Sequence, residues 1–314
     1  MEEGNQTVVT EFILLGLTEH VALRGPIFGV FLVMYLMNLL ANGIMISAIG
    51  RNPQLHTPMY FFLFNLSFVD ICLTSVTVPK MLSNLLSHKK TISFPECLTQ
   101  FFLFGFFVGS ECVLLSIMAY DRYIAICFPL HYITIMNRKV CLMMAALSWI
   151  INIVDALIHT LLIAQLSFCN SNKIHHFFCD LTPLLKLSCT DTSINELVIF
   201  TEGSLIVVLP FLIILGSYVR ILTTILKIQS TTGRRKAFST CSAHLLVVML
   251  LYGTLLFMDF RPSSSYSLEK DKLVSVVYNV VSPMLNPFIY SLRNRDVKTA
   301  IKRMLQRKIY SCKG

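Results

Sequence analysis

The chain has 314 residues, of which 55% are hydrophobic and only 14% charged, with a net charge of +9 and a mean hydropathy of +0.68. About a quarter of an ordinary soluble domain is charged. This composition therefore excludes a soluble globular protein and makes lipid the main solvent.

Lysine and arginine are missing from seven windows: Arg24 to Arg51, Arg51 to Lys80, Glu96 to Asp121, Lys139 to Lys173, Glu196 to Arg220, Lys236 to Arg261 and Lys272 to Arg293. Each is long enough for the roughly 20 apolar residues of a spanning helix. Only Asp70, Glu111, Asp155, Glu202 and Asp259 carry acid inside them. The expected fold is an all-α membrane protein, a seven-transmembrane helix bundle. It forms a single domain over residues 1–314: an extracellular N-terminus (1–23), the bundle (24–292), and a cytoplasmic helix and tail (293–314). Placing the loops before the first, third, fifth and seventh helices on one side gives that side eight bases and the other 17, with Lys80 at a helix end. The positive-inside rule then puts the N-terminus outside and the C-terminus in the cytoplasm. The net charge reflects this orientation and needs no nucleic acid; the basic tail can also lie on anionic lipid.

The N-terminus begins Met1 Glu2 Glu3 Gly4, acidic and without an apolar core before a cleavage site, so no cleavable signal peptide is expected and the first helix acts as its own anchor. Asn5 Gln6 Thr7 is a glycosylation sequon on the outer side, and an apolar patch follows at residues 12–15. Helix one covers about 26–49, with Asn42 as a buried polar group that bonds to a neighbour. A tight inner turn leads into helix two, where Pro58 suits the first turn; this helix carries Asp70, and Pro79 marks its outer end. Helix three covers about 97–128, carries Glu111 and ends at Pro129. Helix four covers about 140–164 and holds Asp155 and His159, four apart and spaced to pair.

The longest loop, about 165–196, contains three cysteines and His175 His176; its length marks it as functional or disordered. Helix five (about 197–228) has a kink at Pro210, and the inner loop after it is too short for a domain. Helices six (about 237–260) and seven (about 273–292) follow, the latter with Pro283 and Pro287. Beyond them Val297, Ile301, Leu305 and Ile309 repeat every four residues opposite Lys298, Lys302, Arg303 and Arg307, an amphipathic helix for the inner leaflet.

Cys97, Cys169, Cys179 and Cys189 fall on the outer side, where they should be oxidised; four cysteines allow three pairings. Cys72, Cys112, Cys127, Cys141 and Cys241 read as small buried apolar residues. His176 and Cys179 have metal-like spacing, but a cysteine in a disulfide has no thiolate to offer. An acid and a base stand together at Asp121 Arg122, at the inner end of helix three, an expensive place for charge unless it is used.

Four stretches carry a specific resemblance: Met118 Ala119 Tyr120 Asp121 Arg122 Tyr123 Ile124 Ala125 Ile126 Cys127; Leu55 His56 Thr57 Pro58 Met59 Tyr60; Lys236 Ala237 Phe238 Ser239 Thr240 Cys241; and Pro283 Met284 Leu285 Asn286 Pro287 Phe288 Ile289 Tyr290 with Ser291 Leu292 Arg293 Asn294. In this order the chain resembles an odorant (olfactory) receptor of the rhodopsin-like G-protein-coupled class. The resemblance implies sensory transduction at the plasma membrane of olfactory sensory neurons: an odorant bound outside activates a stimulatory G protein inside and raises cyclic AMP. It implies that Asp121 holds Arg122 at rest and that Arg122, with Tyr123 beside it, meets the G protein, while Tyr218, Asn286, Pro287 and Tyr290 rearrange. It also implies disulfides Cys97 to Cys179 and Cys169 to Cys189.

Asp70 and Glu111 match two acids that face each other under the ligand pocket. Two buried carboxylates need a cation such as sodium or a shared proton; no other cofactor is expected. The implied odorant site comprises Phe101, Phe104, Gly105 and Val108 on helix three, Ile199, Glu202 and Ile206 on helix five, Tyr252, Leu255, Leu256 and Asp259 on helix six, and Asn279 on helix seven. Glu202 and Asp259 in an apolar pocket suit a ligand with a hydrogen-bond donor or a protonated amine. Ala41, the order Ser242 Ala243, and Asp259 depart from the family pattern, and Asp259 bears on which ligands fit. A transporter is the alternative reading, though no inverted repeat is visible. No Gly-x-Ser-x-Gly or His-Glu-x-x-His occurs, so no enzyme is expected.

Overall fold

A computed structural model of the chain describes residues 9–18, 20–87, 89–169, 171–259, 268–293 and 295–311. Among them are seven helices long and apolar enough to cross a membrane. These are α1 (Val21–Arg51), α2 (Pro58–Leu86), α3 (Phe94–Cys127), α4 (Arg138–Ala164), α5 (Ser193–Leu226), α6 (Thr231–Asp259) and α7, made of Leu268–Val276, a π-helical turn Val277–Val281, and Ser282–Arg293. The amphipathic α8 (Arg295–Ser311) follows. In α3, 72% of the apolar window is buried, against 17% in α1 and 11% in α5. Helix α3 is thus the axle of the bundle, and α1, α4 and α5 turn Leu40, Ile150, Val154 and Leu212 outward to lipid, the medium that makes an apolar outer face stable.

Two prolines behave differently from a simple helix stop. Helix α2 does not end at Pro79 but continues to Leu86. Proline leaves the carbonyl four residues before it without its usual donor, here that of Ser75, and in the same turn the Gln100 amide of α3 donates to the neighbouring Val76 carbonyl at 3.0 Å. In α7, Pro287 frees the carbonyl of Pro283, and Asn42 Nδ2 of α1 donates to it at 3.2 Å. Asn42 therefore makes the cross-helix bond expected of it. Helix α5 carries its own π-helical turn, Ser204–Val208, just before Pro210.

The apolar patch near the N-terminus forms strand β1 (Glu11–Leu14), which pairs antiparallel with β2 (Thr91–Ser93) and parallel with β3 (Lys173–Ile174) in the order β2-β1-β3. This sheet caps the end of the bundle that the loop charges assign to the outside. Under it lies a separate apolar cluster that includes Phe12, Leu14, Ile92, Phe101, Phe168 and Ile174, with Phe12 edge-on to Phe168 at 5.3 Å. Chain direction then passes straight from β2 into α3 through a capping box: Ser93 Oγ accepts from Glu96 N while Glu96 Oε2 accepts from Ser93 N, two orphan donors satisfied at once. Val297 and Ala300 of α8 are buried, so its first turns pack against the bundle.

Candidate functional site

Three layers stack along α3. The outer layer is tied covalently: Cys97 joins Cys179, and Cys169 joins Cys189 within the loop between α4 and α5. Gln100 fastens the same place a second way, its Oε1 accepting from Cys179 N at 2.9 Å. His176 is buried in this loop, its Nε2 3.2 Å from Ser275 Oγ of α7. Burial, with the Lys272 charge beside it, pushes the imidazole down to about 3, so it is neutral at physiological pH.

One turn deeper, Phe104 meets Phe178 at 4.6 Å and Tyr278 at 6.0 Å between ring centroids. Tyr252 of α6 donates to the Cys112 carbonyl of α3 at 3.1 Å and packs on Phe211 of α5 at 5.1 Å. Val108 and Leu255 pack against the same core, and Ile199 and Leu256 are half-buried. Gly109 lets α4 come close, whereas Gly105 has room for a methyl group. A Cβ on Gly109 would collide with Asn152 Oδ1 and touch Ile206, and one on Gly105 would reach Ala156 at 4.0 Å.

Three of the residues expected around the ligand have other partners. Phe101 belongs to the cluster under the sheet. Asn279 accepts from Thr77 of α2 at 3.0 Å. Glu202 turns to α4, where its Oε2 lies 3.3 Å from His159 Nε2. The Asp259 side chain, like Asn5, lies outside the described residues. Phe178, Tyr278 and Phe211 are the aromatic neighbours that sequence reading missed; only Phe178, one residue before Cys179, carried a signal.

The middle layer is polar and buried. Asp70 and Glu111 are both fully buried, and one amide bridges them. Asn286 Nδ2 reaches Asp70 Oδ1 and Oδ2 at 3.1 and 3.2 Å and Glu111 Oε1 at 3.3 Å. Glu111 Oε2 has no hydrogen-bond partner. Asn38 extends the layer to α1, donating to Thr74 Oγ1 and accepting from Asn42.

The inner layer holds Asp121 and Arg122, both buried. Asp121 Oδ1 accepts from the hydroxyl of Tyr132 at 2.8 Å, a residue of the one-turn helix Tyr132–Ile135 between α3 and α4. Arg122 is within hydrogen-bonding reach of Cys241 on α6. His244 Nε2 lies 3.0 Å from the Leu115 carbonyl, which can only accept, so Nε2 carries the proton and Nδ1 accepts from the Tyr218 hydroxyl at 2.9 Å. Helices α3, α5 and α6 are thereby joined through one imidazole. Tyr290 is buried nearby with its hydroxyl unpaired, and Tyr123 packs edge-on to Phe128 at 5.6 Å.

This stack on a central third helix is the architecture of a rhodopsin-type seven-helix receptor. Squid rhodopsin superposes with a TM-score of 0.68 over 93% of this chain and 88% of its own, at 20% identity. A family model described as olfactory receptor matches residues 31–308. Olfactory receptor 1C1 of Homo sapiens is 54% identical over 97% of both chains, and olfactory receptor 1468 of Rattus norvegicus is 52% identical over 99% of this chain and 100% of its own. The chain belongs to the olfactory receptor family. It is a receptor and not an enzyme, and the transporter alternative finds no support in these relatives.

Proposed function

We propose that this receptor binds small, volatile molecules between the outer halves of α3, α5, α6 and α7 and answers by activating a G protein of the stimulatory class, which raises cyclic AMP. What carries the reading is the continuity of α3. Phe104, Glu111 and Arg122 stand on one unbroken helix, and the 18 residues from first to last span roughly 27 Å. A ligand pressing on the Phe104 and Tyr252 layer acts on the same rod that holds Arg122 at the inner end. Both ligand and G protein then favour one of two helix arrangements, which is the thermodynamic content of coupling. Amphipathic α8 and the basic inner loops favour a cytoplasmic C-terminus at an anionic leaflet, in the plasma membrane of olfactory sensory neurons.

The test is a panel of odorants, amines and alcohols included, on cells expressing the receptor with a cyclic-AMP readout. Arg122→Ala should abolish the response at unchanged surface expression; a retained response removes the coupling role. Asp259→Ala should weaken the response to donor-bearing odorants, and unchanged potency for every active odorant ends the assignment of Asp259 as a contact. Asp70 and Glu111, with Asn286 as the shared donor shown among the described residues, need one positive charge between them. A sodium ion there stabilises the resting arrangement, so sodium should lower agonist potency in the wild type and not in Glu111→Gln. Potency independent of sodium in both leaves the shared proton.

A further inference from the structure

Where α4 meets α5, Asp155, His159 and Glu202 each turn a ligand atom to a common point, with all three atoms within 4.8 Å of one another. Asp155 and His159 share a face of α4, and His159 Nε2 lies 3.9 Å from Asp155 Oδ1 and 3.3 Å from Glu202 Oε2. Glu202 comes from the turn just before the π-helical segment Ser204–Val208. One extra residue in a helical turn rotates the outer part of α5 by about 100° relative to a regular helix, and in this register Glu202 faces α4.

The charges do not balance. No lysine or arginine occurs between Lys139 and Lys173 or between Glu196 and Arg220, so neither helix offers a basic side chain here. One imidazole supplies at most one positive charge against two carboxylates, and as a neutral ring it supplies none. The buried Glu202 Oε2 faces His159 Nε2 at 3.3 Å, and the same carboxylate is within hydrogen-bonding reach of Asp155, so two carboxylates crowd one imidazole. All three side chains are only partly enclosed, at 18, 16 and 26% exposure for Asp155, His159 and Glu202, which leaves an entry path.

We propose that Asp155, His159 and Glu202 form a binding site for a divalent transition-metal ion of the zinc type that clamps α4 to α5. One imidazole nitrogen and two carboxylate oxygens are zinc ligands, and three protein ligands leave the fourth tetrahedral position for water. Bonds of about 2.0–2.1 Å place tetrahedral ligand atoms roughly 3.3 Å apart, so rotamer adjustments of about 1 Å close the present spacing around an ion. An imidazole in the set also argues against magnesium or calcium, which prefer oxygen alone. The site lies apart from the Asp70 and Glu111 layer and stands whether or not odorant binding raises cyclic AMP.

The test uses the full-length receptor in lipid nanodiscs, stripped with a chelator and titrated with zinc chloride while its unfolding midpoint is followed. Zinc should raise the midpoint and magnesium should not, and His159→Ala and Glu202→Gln should each weaken zinc binding about tenfold or more. No zinc effect on the wild type, or the same effect in both variants, overturns the site. If the variants fold poorly, X-ray absorption of the zinc-loaded wild type decides. One imidazole with oxygen ligands and no sulfur supports the site, whereas sulfur or several imidazoles overturn it.

Discussion

The two ends of α3 are held by opposite means. At the outer end a disulfide from Cys97 to Cys179, the Ser93 and Glu96 capping box, the Gln100 side chain and the packing of Phe101 under a three-stranded sheet all fix the same turn. At the inner end Met118, Ala119 and Ile124 pack in the main core, no disulfide occurs there among the described residues, and the polar ties are side-chain hydrogen bonds: Tyr132 to Asp121, His244 to the Leu115 carbonyl and, through the same ring, to Tyr218. A covalent staple and a dry apolar cluster do not exchange partners, whereas hydrogen bonds between side chains do so at a net cost of about 1 kcal/mol each. The outer end can therefore act as a fixed reference while the inner end rearranges between two states, as a bistable packed interface does.

The sharpest way to break this comparison is to remove the staple. Loss of a disulfide costs about 2–5 kcal/mol, and Cys97→Ser should reduce cell-surface receptor to near background by flow cytometry. Cys127→Ser at the inner end, where the thiol lies 3.2 Å from Thr224 Oγ1, should leave surface receptor close to wild type. Equal losses in both would mean that the outer end is not the anchor. Next in size is Phe12→Ala, which empties the centre of the cluster under the sheet. Phe to Ala in a core costs about 3–5 kcal/mol, and hydrogen exchange should rise in β1, β2 and β3 while the inner halves of α3 and α6 keep their protection.

The inner end predicts a gain rather than a loss. Tyr132→Phe deletes the one hydrogen bond shown to Asp121 from the loop after α3, and a hydrogen bond to a charged group contributes about 1.5–3 kcal/mol. Ligand-free cyclic AMP should rise several-fold at unchanged surface expression. Unaltered basal signalling would show that Asp121 is held by other groups.

The same contrast explains what could be read from the chain without coordinates. The spans were legible because lipid forbids charge, so missing lysine and arginine mark each helix, and the middle and inner layers were legible in part because Asn286 and Pro287, and Asp121 and Arg122, sit in contiguous motifs. The sheet was not. Glu11–Leu14 pairs with segments about 80 and 160 residues away, and a four-residue apolar patch carries no information about such partners. Pro79 looked like a helix end because proline removes a helix hydrogen bond, and the tie to that turn, from Gln100 to the Val76 carbonyl, comes from another helix. The approach of Glu202 to His159 was not legible because the π-helical turn beside it, Ser204–Val208, has no sequence pattern of its own.

The smallest effect, and one that probes the outer end by solution conditions alone, concerns His176. Its folded pKa is pushed down to about 3 by burial and by Lys272, below the roughly 6.5 of an unfolded histidine. Below about pH 6.5 the unfolded loop binds a proton that the folded loop refuses, so stability present above that pH is lost as pH falls, until both forms are protonated below about 3. At pH 5.5 the loss is about 1.4 kcal/mol. Hydrogen exchange at β3 and around Ser275 should therefore quicken on acidification from pH 7 to 5.5, after correction for the intrinsic rate. In His176→Asn, which can still bond to Ser275 and has nothing to titrate, this dependence should flatten; if it persists unchanged, another group controls the outer end.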